Sequence, residues 1–208
     1  MTVHSSLETA NPLRVIKKLC VFCGSGMGNR PIYREAAAKL GNYLATSGIA
    51  PVYGGGRVGL MGVLADSVLA AGGEAIGAMP RALAEKEIAH ATLTRLYIVE
   101  SMHERKALMA DLADAFVLLP GGFGSWEEFC EVLTWLQVGI HRKPCGILNI
   151  EGYYDALIAL TARGVAEGFI APPHKEMVVV QATVDQLISE LIVAPLPAES
   201  KWVSNRER

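Results

Sequence analysis

Short, continuous apolar runs, each followed by a turn and a stretch of helical period, restrict this chain more than any other feature. Leu19–Cys23, Ala50–Tyr53, Ala75–Met79, Leu96–Val99, Ala115–Leu119 and Cys145–Ile150 read as buried strands, with Val178–Val180 a weaker seventh. Between them Pro31–Ser47, Gly59–Ala71, Met102–Leu112, Ser125–Val138, Tyr153–Glu167 and Val184–Ile192 read as helices. Strands that are apolar along both faces and alternate with helices call for a parallel sheet covered on both sides. With right-handed crossovers, the expectation is an α/β, Rossmann-like, doubly wound sheet of about seven strands. One domain over residues 15–193 accommodates it, between a flexible extension (1–14) and a C-terminal tail (194–208).

A chain of 208 residues, 51% of them hydrophobic, is long enough for one sizeable core. Its net charge of -2 gives no basic footprint for nucleic acid or membrane surfaces. Residues 1–14 lack the apolar core of a signal peptide, and no apolar run approaches a membrane span, so a cytoplasmic protein is expected. Of the four cysteines, Cys20 and Cys23 have C-x-x-C spacing. They lie within one strand, where residues three apart face opposite sides, so they are expected to be buried thiols rather than a redox pair or metal site.

In such folds ligands sit beyond the carboxyl ends of the strands. Glycines gather there in three turns: Gly24-Ser25-Gly26-Met27-Gly28, Gly54-Gly55-Gly56 and Gly121-Gly122-Phe123-Gly124. A tight turn needs glycine for positive φ, but three on one sheet edge favour a shared anion-accepting cleft. Gly54, Gly56 and Gly59 spell G-x-G-x-x-G, although the acidic residue at about the right separation, Glu74, precedes the third strand instead of closing it. That turn reads as a phosphate or mononucleotide contact, not a dinucleotide site.

Ser101 is placed to cap the next helix, and Arg105 and Lys106 stand near its N-terminus, where the helix dipole disfavours cations. On the glycine-bearing edge such a pair can hold a phosphate or polarise a leaving group. His103-Glu104 begins like a zinc-protease motif, but position 107 is Ala107. In PGGFGSWEEF (Pro120–Phe129), Ser125 and Glu128 have the spacing of a capping box, while Glu127 and Glu128 bring carboxylates to a phosphate-friendly turn. Cap and catalyst are both open readings of Glu128.

The segments FCGS (Phe22–Ser25), VYGGGRVGLMG (Val52–Gly62), MHERK (Met102–Lys106), PGGFGSWEE (Pro120–Glu128) and GILNIEGYYD (Gly146–Asp155) together resemble the LOG family. These are cytokinin riboside 5'-monophosphate phosphoribohydrolases, long mislabelled as lysine decarboxylases, and the likeness runs from about Lys18 to about Leu191. The resemblance implies hydrolysis of an N-glycosidic bond, releasing an adenine-type base and ribose 5-phosphate. It implies Arg105 and Glu128 as the catalytic pair. Lys106, Gly122, Gly124, Ser125, Thr134 and Glu87 would be nucleotide contacts. Met102, Gly121, Phe123, Trp126 and Glu127 join the substrate-binding set, as do Gly24, Ser25, Gly54, Gly55 and Gly56. A homodimer, a small nucleotide partner (AMP or N6-prenylated AMP), and no metal or organic cofactor are also implied. The chain departs from the family pattern at Ser125, usually Thr, and at Trp126, usually aliphatic.

The residue types suit that chemistry. Opening a C1′–N9 bond builds oxocarbenium-like charge, which a carboxylate stabilises while it orients or deprotonates water. A pyridoxal phosphate decarboxylase would need a Schiff-base lysine, and Lys106 is the sole candidate. The rival from another class is a non-catalytic nucleotide carrier on the same fold, which has no need of a carboxylate near C1′. Glu128 is therefore assigned to the ribose and Glu127 to a structural partner.

Overall fold

The computed structural model describes residues 13–85 and 89–196. Seven parallel strands form one sheet, ordered β4-β3-β2-β1-β5-β6-β7. They are β1 (Lys18–Phe22), β2 (Ala50–Tyr53), β3 (Ile76–Pro80), β4 (Arg95–Val99), β5 (Ala115–Leu118), β6 (Cys145–Leu148) and β7 (Val178–Gln181). The helices are α1 (Pro31–Thr46), α2 (Gly59–Ala70), α3 (Arg81–Ala84), α4 (Met102–Leu112), α5 (Phe123–Val138), α6 (Asp155–Ala166), α7 (Pro172–Lys175) and α8 (Val184–Val193). The expected Rossmann-like, doubly wound sheet is what forms, including the weak last strand. The short α3 and α7 and a 3-10 turn at Ile150–Gly152 have too few residues for a helical period to register.

Chain order reverses between β1 and β5, so the connections leaving their carboxyl ends run to opposite faces of the sheet and open the crevice typical of a switch point. Two cores lie on opposite faces of the sheet. Leu19, Val21 and Cys23 pack beneath α1, α2 and α8 beside Leu40, Leu64 and Leu187. Cys20 and Phe22 pack on the other face with Met109, Phe129 and Leu136 from α4 and α5. The alternation of β1 thus puts Cys20 and Cys23 on opposite sides of the sheet, both as free thiols.

The described ends are tied together: Arg14 donates its backbone N–H to Ile192 O (3.1 Å) and its guanidinium to Ala194 O (2.6 Å). Ala194 is buried and Leu196 packs on a core. The rest of the expected loose ends, 1–12 and 197–208, lies outside the described residues.

The first two glycine turns pack on each other. Leu60 N, at the start of α2, donates to Gly24 O (3.0 Å) and Gly26 O (3.3 Å). Gly59 has φ +60, and a Cβ there would run into the backbone of Ser25 and Gly26. Gly72 also has positive φ (+78) but faces open space. Gly59→Ala should therefore lose about 2–4 kcal/mol, from backbone strain plus overpacking, against about 1 kcal/mol for Gly72→Ala. Urea unfolding midpoints of the two variants measure the difference.

Candidate functional site

Helix α5 begins at Phe123, with Gly122 as an extended N-cap and no side-chain cap. Ser125 is therefore the third helical residue, buried within the helix, and Glu128 lies beyond the first turn. The capping-box reading of Ser125 and Glu128 is thereby corrected. The S-x-x-E that caps is one helix earlier: Ser101 Oγ accepts from Glu104 N (3.1 Å), and the Glu104 carboxylate accepts from Glu100 N (2.8 Å). Among the described residues no carbonyl takes the N–H of Gly122, Phe123 or Gly124, and both glycines have open space beside them. This is the positive end of a sixteen-residue helix, presented to the outside.

The inward stripe of α5 is Ser125, Glu128, Phe129, Val132 and Leu136. A carboxylate in a stripe that is otherwise core was a legible oddity in the sequence. In the fold it is answered from α4: Arg105 Nη2 stands 2.8 Å from Glu128 Oε1, with side chains only 12% and 10% exposed. Nη1 of Arg105 points at Met102 Sδ, 3.7 Å away. Its Nε is buried without a hydrogen-bond partner among the described residues. Room for the guanidinium is made by Gly54, where a Cβ would stand 2.5 Å from Nη2. Burial pushes the Glu128 carboxyl up from its usual value, against the opposing pull of Arg105. The same burial, with Glu128 close by, pushes the Cys23 thiol at the end of β1 up to about 12.

The neighbouring cation serves other carboxylates. Lys106 Nζ lies 2.5 Å from Glu127 Oε1 and 3.0 Å from Glu131 Oε1. These pairs, led by the Glu127 hydrogen bond, raise the lysine above its usual value. A Schiff-base lysine must lose its proton, so this amine does not fit a pyridoxal phosphate site. Glu127 is thus turned to Lys106 and paired there.

The first and third turns are joined by Gly24 N donating to Pro120 O (3.0 Å). Between them a cleft of about 290 Å³ is lined by Gly24, Ser25, Gly121, Gly122, Tyr33 and Tyr153. Gly54, Gly55 and Gly56 are buried, so the second turn does not open on this cleft. Phe123 and Trp126 form an exposed edge-to-face pair (5.2 Å) on the first turn of α5. Thr134 stands further along the helix, its hydroxyl bonded to Cys130 O (2.8 Å), on the wall of a separate apolar groove. Glu87 lies outside the described residues. The sequence reading assigned no role to Tyr33 or Tyr153, although Tyr153 lies within GILNIEGYYD, because nothing local ties either ring to a glycine turn distant in the chain. Among the described residues no cluster of His, Cys, Asp and Glu is arranged to hold a metal, and no helix is long and apolar enough to cross a membrane.

Fold and site define a Rossmann-like α/β protein with an anion-accepting helix terminus beside a buried arginine–carboxylate pair. The fold is shared with a molybdenum cofactor binding protein of Rippkaea orientalis (TM-score 0.63, 19% identity, 83% of this chain and 93% of that one). It is shared equally with the molybdenum cofactor carrier protein of Chlamydomonas reinhardtii (TM-score 0.63, 19% identity, 84% and 94%). The family model described as "possible lysine decarboxylase" matches residues 61–191. A protein of Oryza sativa subsp. japonica, named as a probable cytokinin riboside 5'-monophosphate phosphoribohydrolase, is 49% identical over 187 residues (90% of this chain, 84% of that one). A cytokinin riboside 5'-monophosphate phosphoribohydrolase of Arabidopsis thaliana is 47% identical over 175 residues (84% and 81%). The chain belongs to the LOG family.

Two measurements check this geometry. Ser101→Ala should cost about 1 kcal/mol through loss of its cap, and Ser125→Ala should show no capping loss; chemical denaturation distinguishes them. The second concerns pH. The folded protein holds Glu128 protonated to higher pH than the unfolded chain does. This group's contribution to stability is then complete below the unfolded carboxylate value and declines as pH rises through the folded one. Unfolding of wild type and Glu128→Gln from the ordinary carboxylate range upward should show that decline in the wild type only.

Proposed function

We propose that this protein is a nucleoside 5'-monophosphate phosphoribohydrolase, cleaving the N-glycosidic bond of cytokinin-type adenosine 5'-monophosphates to an adenine-type base and ribose 5-phosphate. The observation that carries this reading is the buried Arg105–Glu128 pair, 2.8 Å apart, inward of an open helix N-terminus. The α5 terminus takes the phosphate, which fixes the ribose by binding energy remote from the reacting bond. Glu128 faces C1′. Water adds its oxygen there, the C1′–N9 electron pair leaves with the base, Glu128 receives a proton from the water, and solvent protonates the base. A carboxylate held above its usual pKa is better matched to that proton transfer near neutral pH. Arg105 holds Glu128 in place, and its Nε, buried without a partner among the described residues, has a hydrogen bond to offer.

In this reading Gly121, Gly122, Gly124 and Ser125 surround the phosphate, and Gly24 and Ser25 line the same cleft. Met102, Phe123 and Trp126 supply apolar surface at the mouth for a base with or without a prenyl group. Lys106 and Glu127 neutralise each other beside it. The active form is a cytoplasmic homodimer working on AMP or N6-prenylated AMP, without metal or organic cofactor. Carriers share the fold, so the fold alone does not decide for catalysis.

Incubation with AMP and with isopentenyladenosine monophosphate, without added metal, should release free base and ribose 5-phosphate. Glu128→Gln should stop release while AMP still binds. Tight binding of both nucleotides with neither cleaved would favour the carrier reading instead.

A further inference from the structure

A terminus that receives a phosphate works best when its entry peptide is already fixed. The constraint on that peptide comes from a residue 32 positions later in the chain. Tyr153 donates its hydroxyl to Gly121 O at 2.7 Å, and its ring lines the cleft. Tyr33 meets that ring edge-on at 5.5 Å, and Tyr154 does so at 4.8 Å.

The turn that delivers Tyr153 is heavily constrained. Among the described residues Glu151 is the one non-glycine with positive φ (50), and Gly152 follows at φ 71. A Cβ on Gly152 would meet the Asp155 carboxylate. Asn149 secures the turn from inside, accepting from Tyr154 N and donating to Asp155, each at 2.8 Å. Arg30, from the end of the first glycine loop, reaches Glu151 at 2.7 Å. Left-handed backbone at a non-glycine residue persists only where its surroundings over-determine it. Here they do, and the outcome is a phenol aimed at one carbonyl.

In a trans peptide the carbonyl and the following N–H point in opposite directions. Holding Gly121 O on Tyr153 therefore holds the Gly122 N–H on the other side, where no carbonyl among the described residues takes it. We infer that Tyr153 is a positioning residue for phosphate binding: its hydroxyl sets the Gly121–Gly122 peptide so that the Gly122 N–H is ready for the ligand. This rests on the proposed placement of the phosphate at the α5 terminus.

Tyr97 on β4 supplies the control. Its hydroxyl accepts from Arg95 Nη1 at 2.9 Å, and it packs on a core without lining the cleft. Tyr153→Phe and Tyr97→Phe each remove one hydroxyl and keep the ring. Calorimetric Kd for ribose 5-phosphate, KM and kcat for AMP, and Tm are measured for both variants and the wild type. Tyr153→Phe should raise Kd and KM about fivefold with kcat unchanged, whereas Tyr97→Phe should leave Kd and KM alone. An unchanged Kd in Tyr153→Phe, or equal changes of Kd in both variants, overturns the inference. A wild type that binds ribose 5-phosphate but releases no base would defeat the functional reading, while the Kd comparison would still decide the role of Tyr153.

Discussion

A guanidinium and a carboxylate buried against each other between α4 and α5 set terms that much of the surrounding structure has to meet. Two charges taken out of water are tolerable only if they stay paired, and removing one partner of such a pair costs about 3–5 kcal/mol. The neighbouring helices keep the pair in register. Ser101 and Glu104 close the start of α4 one turn before Arg105. With α5 starting at Phe123, Glu128 lies beyond the first turn, and its spacing from Ser125, Val132 and Leu136 keeps it in the inward stripe of the helix.

The adjacent cations Arg105 and Lys106 divide their work because successive helical residues point about 100° apart. Arg105 turns inward to one carboxylate. Lys106 takes Glu127 and Glu131, which share a face of α5 at i and i+4. Three acidic side chains near an anion-accepting helix end would otherwise oppose the ligand. Pairing two with a lysine and burying the third leaves the helix dipole to act on the cleft.

The sheet, its strand order class and the three glycine turns were legible because each depends on local pattern: continuous apolar runs, helical periods, and glycines at strand ends. The misreadings arose where the deciding partner is distant in sequence. S-x-x-E spacing occurs at Ser101 and at Ser125, and spacing alone does not say which serine stands at a helix start. Phe123 and Gly124 are helical because the chain turns at Gly122, a fact of backbone geometry. What local pattern also could not show is the burial of the second glycine turn, with Arg105 beside Gly54. Tyr153 reaches Gly121 across a gap that no periodicity spans.

Gly54 serves the buried pair by subtraction: one hydrogen in place of a carbon keeps a space the size of a guanidinium edge. Arg105 is the chief influence holding down a carboxyl that burial drives upward. Filling the space would push the guanidinium edge aside, and weakening its hold on Glu128 in a dry environment would raise that carboxyl further. An atom on β2's exit that meets neither helix-borne charge by hydrogen bond thus acts as the setting on an acid–base equilibrium one helix further away.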